Sequence, residues 1–411
     1  MKDPKIVFWF RIAILFEIMW GAHAWFTWSL GSSRILQYGA YLISAFIAYQ
    51  YKSKMRIRLN TKPAVVFGFF CYILAVMFFN RFSIPSLVGV FLTLYVIWVT
   101  LSDKENAEGH LNFICKGLAW IFIPGIILFL ITRFISLPGP IIQRGSSEDY
   151  IFINHIFQIM RLDLGYGSDA VGRFHSIFLE PGFLGSLLSF LLFAIKYDFS
   201  KWYGKVLWVS LIISLSLAGY IITFIGYTLY LLSTGKSLGK IIVFAIGAII
   251  VYFVSINYND GNNYINKMII ERLQYDEEKG IAGNNRTGAG TEFYYNQAIE
   301  NGDIWLGLGS ERVKQINGGS SDSAGYADNI RGAGYKVFFV TRGIISALCF
   351  LMFYVFVTIG CCNIVATRIV AILLVILTFL PQSTPQSASW IFPLILGLLN
   401  YNRKKSRYIK L

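Results

Sequence analysis

Apolar runs of about 17 to 25 residues follow one another along this chain, broken by short basic loops and by two long polar stretches at 138–176 and 257–335. In hydrocarbon each backbone N–H and C=O must find a partner inside its own segment or in a closed barrel. Barrel strands would show as alternating stretches of about 10 residues, and these runs do not alternate. The chain therefore reads as all-α, a polytopic integral membrane protein. Its composition agrees: 55% hydrophobic, 14% charged and a mean hydropathy of +0.57, more apolar than a soluble surface of this size tolerates.

The expected spans are 6–30, 35–51, 63–80, 84–101, 117–137, 177–197, 206–218, 219–232, 241–256, 336–359, 369–382 and 389–400, about 12 transmembrane helices. The run from Ile6 to Leu30 exceeds a signal-peptide core and is followed by no small-residue cleavage pattern, so it is expected to persist as a helix. Lys52, Lys54, Arg56, Arg58 and Lys62 form one basic loop, and Arg403, Lys404, Lys405, Arg407 and Lys410 a basic tail, both assigned to the cytoplasm. Lys196, Lys201 and Lys205, then Lys236 and Lys240, fit the same side. The net charge of +14 is thus a topology signal, and nucleic acid is not an expected partner.

Val206 to Leu232 decides the parity of everything after it. At about 27 residues it would be roughly 40 Å long as one helix, long for one crossing and short for two full ones. Its centre, Ser214-Leu-Ser216-Leu-Ala-Gly219-Tyr220, offers small and hydroxyl residues where a helix can break. A hairpin of two short helices is expected, which puts both long loops on the external face. A single crossing would separate them. The expected divisions are N-terminal helices 1–137, first large loop 138–176, central helices 177–256, second large loop 257–335, and C-terminal helices with the basic tail 336–411.

Several chemistries lack their residues. Neither long loop contains a cysteine, so Cys71, Cys115, Cys349, Cys361 and Cys362 read as packing thiols and no external disulfide framework is expected. His23, His110, His155 and His175 are not at zinc-ligand spacing, and no metal site or cofactor is expected. No Walker loop, nucleotide fingerprint or Gly-x-Ser-x-Gly elbow occurs, which argues against ATP-driven or serine-hydrolase chemistry.

The first loop passes from Leu-Pro-Gly-Pro140 through Arg144 to Tyr150–Met160, a short apolar piece expected to lie as an interfacial helix. Arg161, Asp163 and the glycine-rich Gly165-Tyr-Gly167 lead to Arg173-Phe-His175-Ser-Ile-Phe-Leu-Glu180-Pro-Gly182, a cation, an imidazole and a carboxylate at the mouth of an apolar helix. Such a cluster in a lipid-adapted chain points to chemistry at a membrane surface. The second loop carries an expected helix from Tyr264 to Tyr275, the turn Gly283-Asn-Asn-Arg286-Thr-Gly288, a helix over Thr291–Asn301, Trp305-Leu-Gly-Leu-Gly309 and Asp328-Asn-Ile-Arg331. Plainer readings exist. Arginines beside a bilayer anchor to lipid phosphate, Glu180 suits a helix N-terminus, and His175 suits an interfacial hydrogen bond. Arg11, Glu17 and Arg342 read as packing, snorkelling or an internal pair, and Ser214 and Ser216 as helix-packing residues.

These residues carry a resemblance. Arg173-Phe-His-Ser-Ile-Phe-Leu-Glu-Pro-Gly-Phe-Leu-Gly185, the Leu-Ser-Leu-Ala-Gly219 break, the Asn-Asn-Arg286 turn with Leu-Gly-Leu-Gly309 beyond it, and Gly332-Ala-Gly334 together resemble the O-antigen polymerase (Wzy) family, from the fifth span to the tenth. Arginines followed by glycine after ten residues, Arg161 to Gly172 and Arg272 to Gly283, fit its pattern. Related O-antigen ligases carry His-Asn where this chain has Asp328-Asn329, which favours a polymerase.

The resemblance implies a metal-independent membrane glycosyltransferase, GT-C-like, in the bacterial inner membrane with its site facing the periplasm. Its substrates would be undecaprenyl-pyrophosphate-linked oligosaccharides, and its partners a chain-length regulator (co-polymerase) and a flippase. A pyrophosphate leaving group without a metal requires guanidinium donors. Arg173, Arg272 and Arg286 are the first choices, with Arg161 and Arg331 beside them. The attacking hydroxyl requires a base, Glu180 first and His175 second. Tyr150, Tyr166, Tyr294, Tyr295 and Trp305 are candidate sugar platforms. Two alternatives stay open: a ligase passing glycan to lipid A core, and a lipid-linked oligosaccharide flippase or other transporter. A transporter would place its charges at the midplane and show internal repeats, and neither is evident here.

Overall fold

A computed structural model describes residues 3–29, 34–80, 83–144, 151–161, 172–235, 239–263, 265–271, 275–276, 280–281, 289–318, 330, 332 and 334–408. The described residues are mostly helical. In chain order they form α1 (Pro4–Gly21), α2 (Trp25–Ser29), α3 (Arg34–Met55), α4 (Pro63–Asn80), α5 (Ile84–Ser102), α6 (Ala107–Ile131), α7 (Pro181–Ala194), α8 (Trp202–Ser214), α9 (Leu217–Ser233), α10 (Gly239–Asn257), α11 (Ala289–Glu300), α12 (Gly309–Gly318), α13 (Tyr335–Cys361), α14 (Val365–Phe379) and α15 (Ala388–Tyr408). Between α6 and α7 lie strands β1 (Ile141–Gln143), β2 (Ile151–Asn154) and β3 (Ile159–Arg161), an antiparallel sheet in that order, and β4 (Tyr275–Asp276) and β5 (Gly280–Ile281) pair before α11. Each apolar run singled out in the sequence carries a helix. Three of these, α5, α6 and α13, are long and apolar enough to cross a membrane by length and composition.

α7 is the centre of the bundle, with every residue except Phe183 buried. A helix that is apolar all round has no face to give to water, so it is surrounded, here by α8, α9 and α15. The α7–α9 crossing is close because it is built on glycine: a Cβ at Gly219 would lie 2.9 Å from Gly185 Cα, and one at Gly185 2.5 Å from Ser216 Oγ. Ser189 Oγ spans the same crossing, 3.2 Å from the Gly219 carbonyl and 2.8 Å from Thr223 Oγ1. The break between α8 and α9 falls where the hydroxyl residues indicated. Leu215 is left-handed (φ 46, ψ 36), and Ser216 Oγ caps α9 by accepting from the Gly219 N–H at 3.2 Å.

The first run is not one helix. α1 ends at Gly21, the chain turns through Ala22–Ala24 with His23 at φ 57, and α2 begins at Trp25. The reason is tertiary. Ser387 Oγ donates to the Gly21 carbonyl at 2.7 Å, and Trp25 N–H is drawn to the Ile177 carbonyl at 2.8 Å, so the helix's own ladder loses to two outside partners. The run at 177–197 likewise becomes helical only from Pro181. The expected interfacial helix over 150–160 is instead β2 and β3. Its residues are rich in β-branched side chains, and Phe152 and Ile159 bury themselves against Leu179, Trp25 and Trp28. α6 runs over 107–131 rather than 117–137, which leaves Arg133 beyond its end. Within 264–275 the described segment Asn266–Ile270 is one π-type turn, not an α-helix.

The two ends of the bundle gather different polar clusters. At one end Lys54 pairs with Asp3 at 2.8 Å, Lys201 Nζ donates to Asn112 at 3.4 Å and Lys196 Nζ to the Asn400 carbonyl at 3.3 Å. Near that end Arg11 Nε donates to His110 Nδ1 (3.2 Å), which leaves the proton on Nε2 to reach Asp103 Oδ2 (2.9 Å). Burial opposes the Asp103 charge, but bonds from His110, Tyr51 and Asn106 hold its pKa below the usual carboxylate value.

At the other end lie His23, Ser387, Glu180 and the sheet. The second loop joins them there through α11 and α12, which pack on α13. Lys336 meets Glu292 at 2.7 Å, and Trp305–Gly307 crosses α13 at Gly343. The described parts of both long loops therefore share one end.

Candidate functional site

Residues 173–180 do not continue α7 backwards: a turn closed by the Phe178 N–H donating to the His175 carbonyl (2.9 Å) is held between two partners. On one side Trp25 N–H donates to the Ile177 carbonyl (2.8 Å) and Leu179 N–H to the His23 carbonyl (3.1 Å); on the other, Ile159 N–H donates to the Ser176 carbonyl (3.0 Å). Ser176, at φ 50, turns its hydroxyl to the Phe157 carbonyl at 2.9 Å. Below, Phe174 packs edge-on against Phe129, and Arg133 lies over the same Phe129 ring while bonding the Gly172 carbonyl. The segment is thus clamped by the α1–α2 bend, the sheet and the end of α6.

This clamp gathers cations around one imidazole. His175 is buried, and its Nδ1 lies 2.5 Å from the Phe178 carbonyl, an acceptor only, so Nδ1 carries the proton and Nε2 is the basic nitrogen. Burial pushes its pKa down to about 4. The Phe178 carbonyl opposes that shift, and the nearby charges of Arg173 and Arg161 reinforce it. Arg144, Arg161, Arg173 and Glu180 are each half-buried. Glu180 is the N-cap of α7, yet its side chain makes no capping bond to that helix.

The depressed value predicts a pH response. The unfolded imidazole takes a proton below about pH 6.5, whereas the folded one resists until about pH 4. The stability this contributes is complete above pH 6.5 and is lost as pH falls towards 4, about 3 kcal/mol in all. Amide exchange across residues 174–179 should accelerate through that window beyond its intrinsic trend. His175→Asn, which keeps a donor near the Phe178 carbonyl, should remove the acceleration; an unchanged pH profile in that variant would show that another group titrates.

Of the residues the sequence nominated, Arg161 and Arg173 act electrostatically on His175, and Glu180 stands at the N-cap of α7 that follows. Arg272, Arg286 and Arg331 lie outside the described residues, as do Tyr150 and Tyr166. Tyr294 and Tyr295 pack against the Leu308–Ile330–Val340 cluster, so they serve that fold first, while Trp305 is exposed. The sequence reading missed two participants. His23 was hidden inside an apparently continuous span, although its ring meets Phe183 at 4.6 Å and its carbonyl holds Leu179. Arg133 was absorbed into an overlong fifth span. A polar residue two positions after a glycine inside an apolar run was the available signal for the first, and a lone cation at a run's end for the second.

Half-buried guanidinium groups beside a neutral imidazole and a helix-mouth carboxylate suit an anionic leaving group and a hydroxyl nucleophile. Among the described residues no group of three or more His, Cys, Asp and Glu is placed to hold a metal ion. Compared with protein-family models, curated proteins and solved structures, the chain matches none.

Proposed function

We propose that this protein is a surface-polysaccharide polymerase of the O-antigen (Wzy) type, transferring a growing glycan from undecaprenyl pyrophosphate onto a newly delivered lipid-linked repeat unit. On this reading α1, α3 to α10 and α13 to α15 all cross the inner membrane, the basic ends face the cytoplasm, and the 173–180 clamp faces the periplasm. One observation supports the proposal: the clamp sets His175 under the charges of Arg161 and Arg173, five residues before Glu180 at the mouth of the buried helix α7.

The chemistry follows from charge. The acceptor hydroxyl attacks the anomeric carbon of the donor, its proton passes to Glu180 or to His175 Nε2, and the bond from that carbon to the pyrophosphate oxygen breaks. The pyrophosphate leaves with its electron pair onto guanidinium groups, which stay charged and bind phosphate oxygens in pairs. Arg173 and Arg161 are the described donors, and Arg272, Arg286 and Arg331 complete the proposed set. Membrane lipid surrounds the site, and a chain-length regulator and a flippase act on the same substrate.

The test is the lipopolysaccharide ladder of a deletion strain complemented with wild type or Glu180→Gln at equal membrane levels. The expected result is core bearing a single repeat unit in the deletion and the variant, with the ladder restored by wild type. Loss of even the first repeat would sink the polymerase reading and indicate ligation or flipping instead.

A further inference from the structure

A cavity of about 380 Å³ opens beside the clamp, between α1, α3, α4, α5, α13 and the segment leading into α15. That size lies within the range of small-molecule sites, about 300–1,000 Å³. His23 lines it, so one residue is shared between the cavity wall and the clamp. Glu17, Tyr41, Tyr72, Arg342, Thr384 and Gln386 supply most of its chemistry.

The polar groups here are not spent on each other. Glu17 is 3% exposed, Ser44 hydrogen-bonds its carboxyl, and Oε1 has no partner; Thr384 Oγ1 and Gln386 Oε1 are likewise buried without one. Buried polar atoms left unpaired cost stability, so three around one cavity call for an occupant. Arg342, in contrast, lies 4.1 Å over the Phe79 ring, its face already covered.

We infer that this cavity binds a neutral polyhydroxyl group, the acceptor sugar of the transfer proposed above, whose hydroxyls bond to Glu17, Thr384 and Gln386. The walls select for that chemistry. The lining holds one carboxyl, Glu17, and one guanidinium, Arg342, the latter already stacked on Phe79, so no cluster of like charges marks it for an ion. Tyr41, Tyr72 and Trp20 give ring faces for the C–H side of a sugar, while the unpaired oxygens take its hydroxyls. The acceptor's lipid-distal sugar, which carries the attacking hydroxyl, would then rest against His23, next to the segment bearing His175 and Glu180. The inference rests on the polymerase reading for the identity of the sugar's carrier, but not for the cavity's preference.

The test uses the full-length protein in lipid nanodiscs, with Thr93→Cys on the cavity wall labelled by a water-soluble maleimide and the cysteine-containing wild type as background. The probes are free glucose, galactose, mannose, rhamnose and N-acetylglucosamine. At least one should slow labelling saturably. Gln386→Ala or Glu17→Gln in the same background should weaken that protection roughly tenfold or more while leaving the thermal unfolding midpoint nearly unchanged. Protection by none of the sugars, or by inorganic phosphate or glutamate in their place, overturns the inference.

The surface ladder separates the two readings. A ladder lost in the deletion strain but normal with folded Gln386→Ala and Thr384→Val overturns the cavity's role and leaves the polymerase standing. A ladder unaffected by deletion, together with sugar protection, overturns the polymerase and leaves a sugar-binding cavity.

Discussion

Arg173→Ala is expected to slow chain extension roughly a hundred- to a thousand-fold, the usual loss when one preorganised donor to a developing negative charge is removed. The argument starts from position. Arg173 opens the clamped segment, is half-buried, and acts electrostatically on His175, so its guanidinium is held near the candidate base rather than free to follow lipid headgroups. Arg173→Lys should recover only part of the rate, because an ammonium keeps the charge but loses the planar fork that engages two phosphate oxygens. The measurement is chain length against time with purified protein and lipid-linked repeat units. Removing the cation also relieves His175, so the acid limb of the pH profile should move upward in Arg173→Ala, which a purely structural role would not produce. Wild-type extension by a folded Arg173→Ala protein would assign the pyrophosphate to other residues.

Gly343→Ala should destabilise the protein by about 4 kcal/mol, combining roughly 1–3 for a conformation reserved to glycine with roughly 1–3 for overpacking. Gly343 interrupts α13 at φ 82, ψ 162, and an added Cβ would lie 2.4 Å from the Trp305 carbonyl oxygen and 2.5 Å from Leu306 C. Those are backbone atoms and cannot swing aside. Gly307 answers from the crossing strand at φ +71, where a Cβ would come within 2.5 Å of Gly343 N, and Leu308 N–H takes up the Val340 carbonyl at 2.8 Å. Two glycines thus let the second loop lie directly on the broken helix, and Arg342, next to the break, faces the cavity. Thermal unfolding in detergent should show the loss in Gly343→Ala. Gly39→Ala, with nothing within 4 Å of the added atom, should be neutral or slightly stabilising. Equal midpoints for the two variants would mean that the close crossing is not maintained.

Several features were legible because their causes are local. The Ser214–Tyr220 break could be read from small and hydroxyl residues that cap and turn by themselves, and α11 from its own stretch of residues. The 173–182 cluster stood out because charge is rare in such a chain. The α1–α2 bend could not be read, since Ala22-His-Ala24 is as compatible with helix as its neighbours and only Ser387 and Ile177 decide the matter. Strands β2 and β3 looked like an interfacial helix because a short apolar run has no decisive period; the burial of Phe152 and Ile159 against distant tryptophans settled it. Glu17 and Arg342 passed for ordinary buried charges because their unpaired neighbours lie far away in the sequence, at Thr384 and Gln386.

By itself the sequence determined that this chain is a bundle of apolar helices, and where its charge is concentrated, because hydrocarbon imposes a length and a backbone rule that any reader of the residues can apply. Tertiary structure alone decided which polar groups meet. Helix ends, bends and unpaired oxygens depend on partners hundreds of residues apart, and the energies that choose among them, one hydrogen bond or one close glycine contact at a time, leave no periodic trace in the chain.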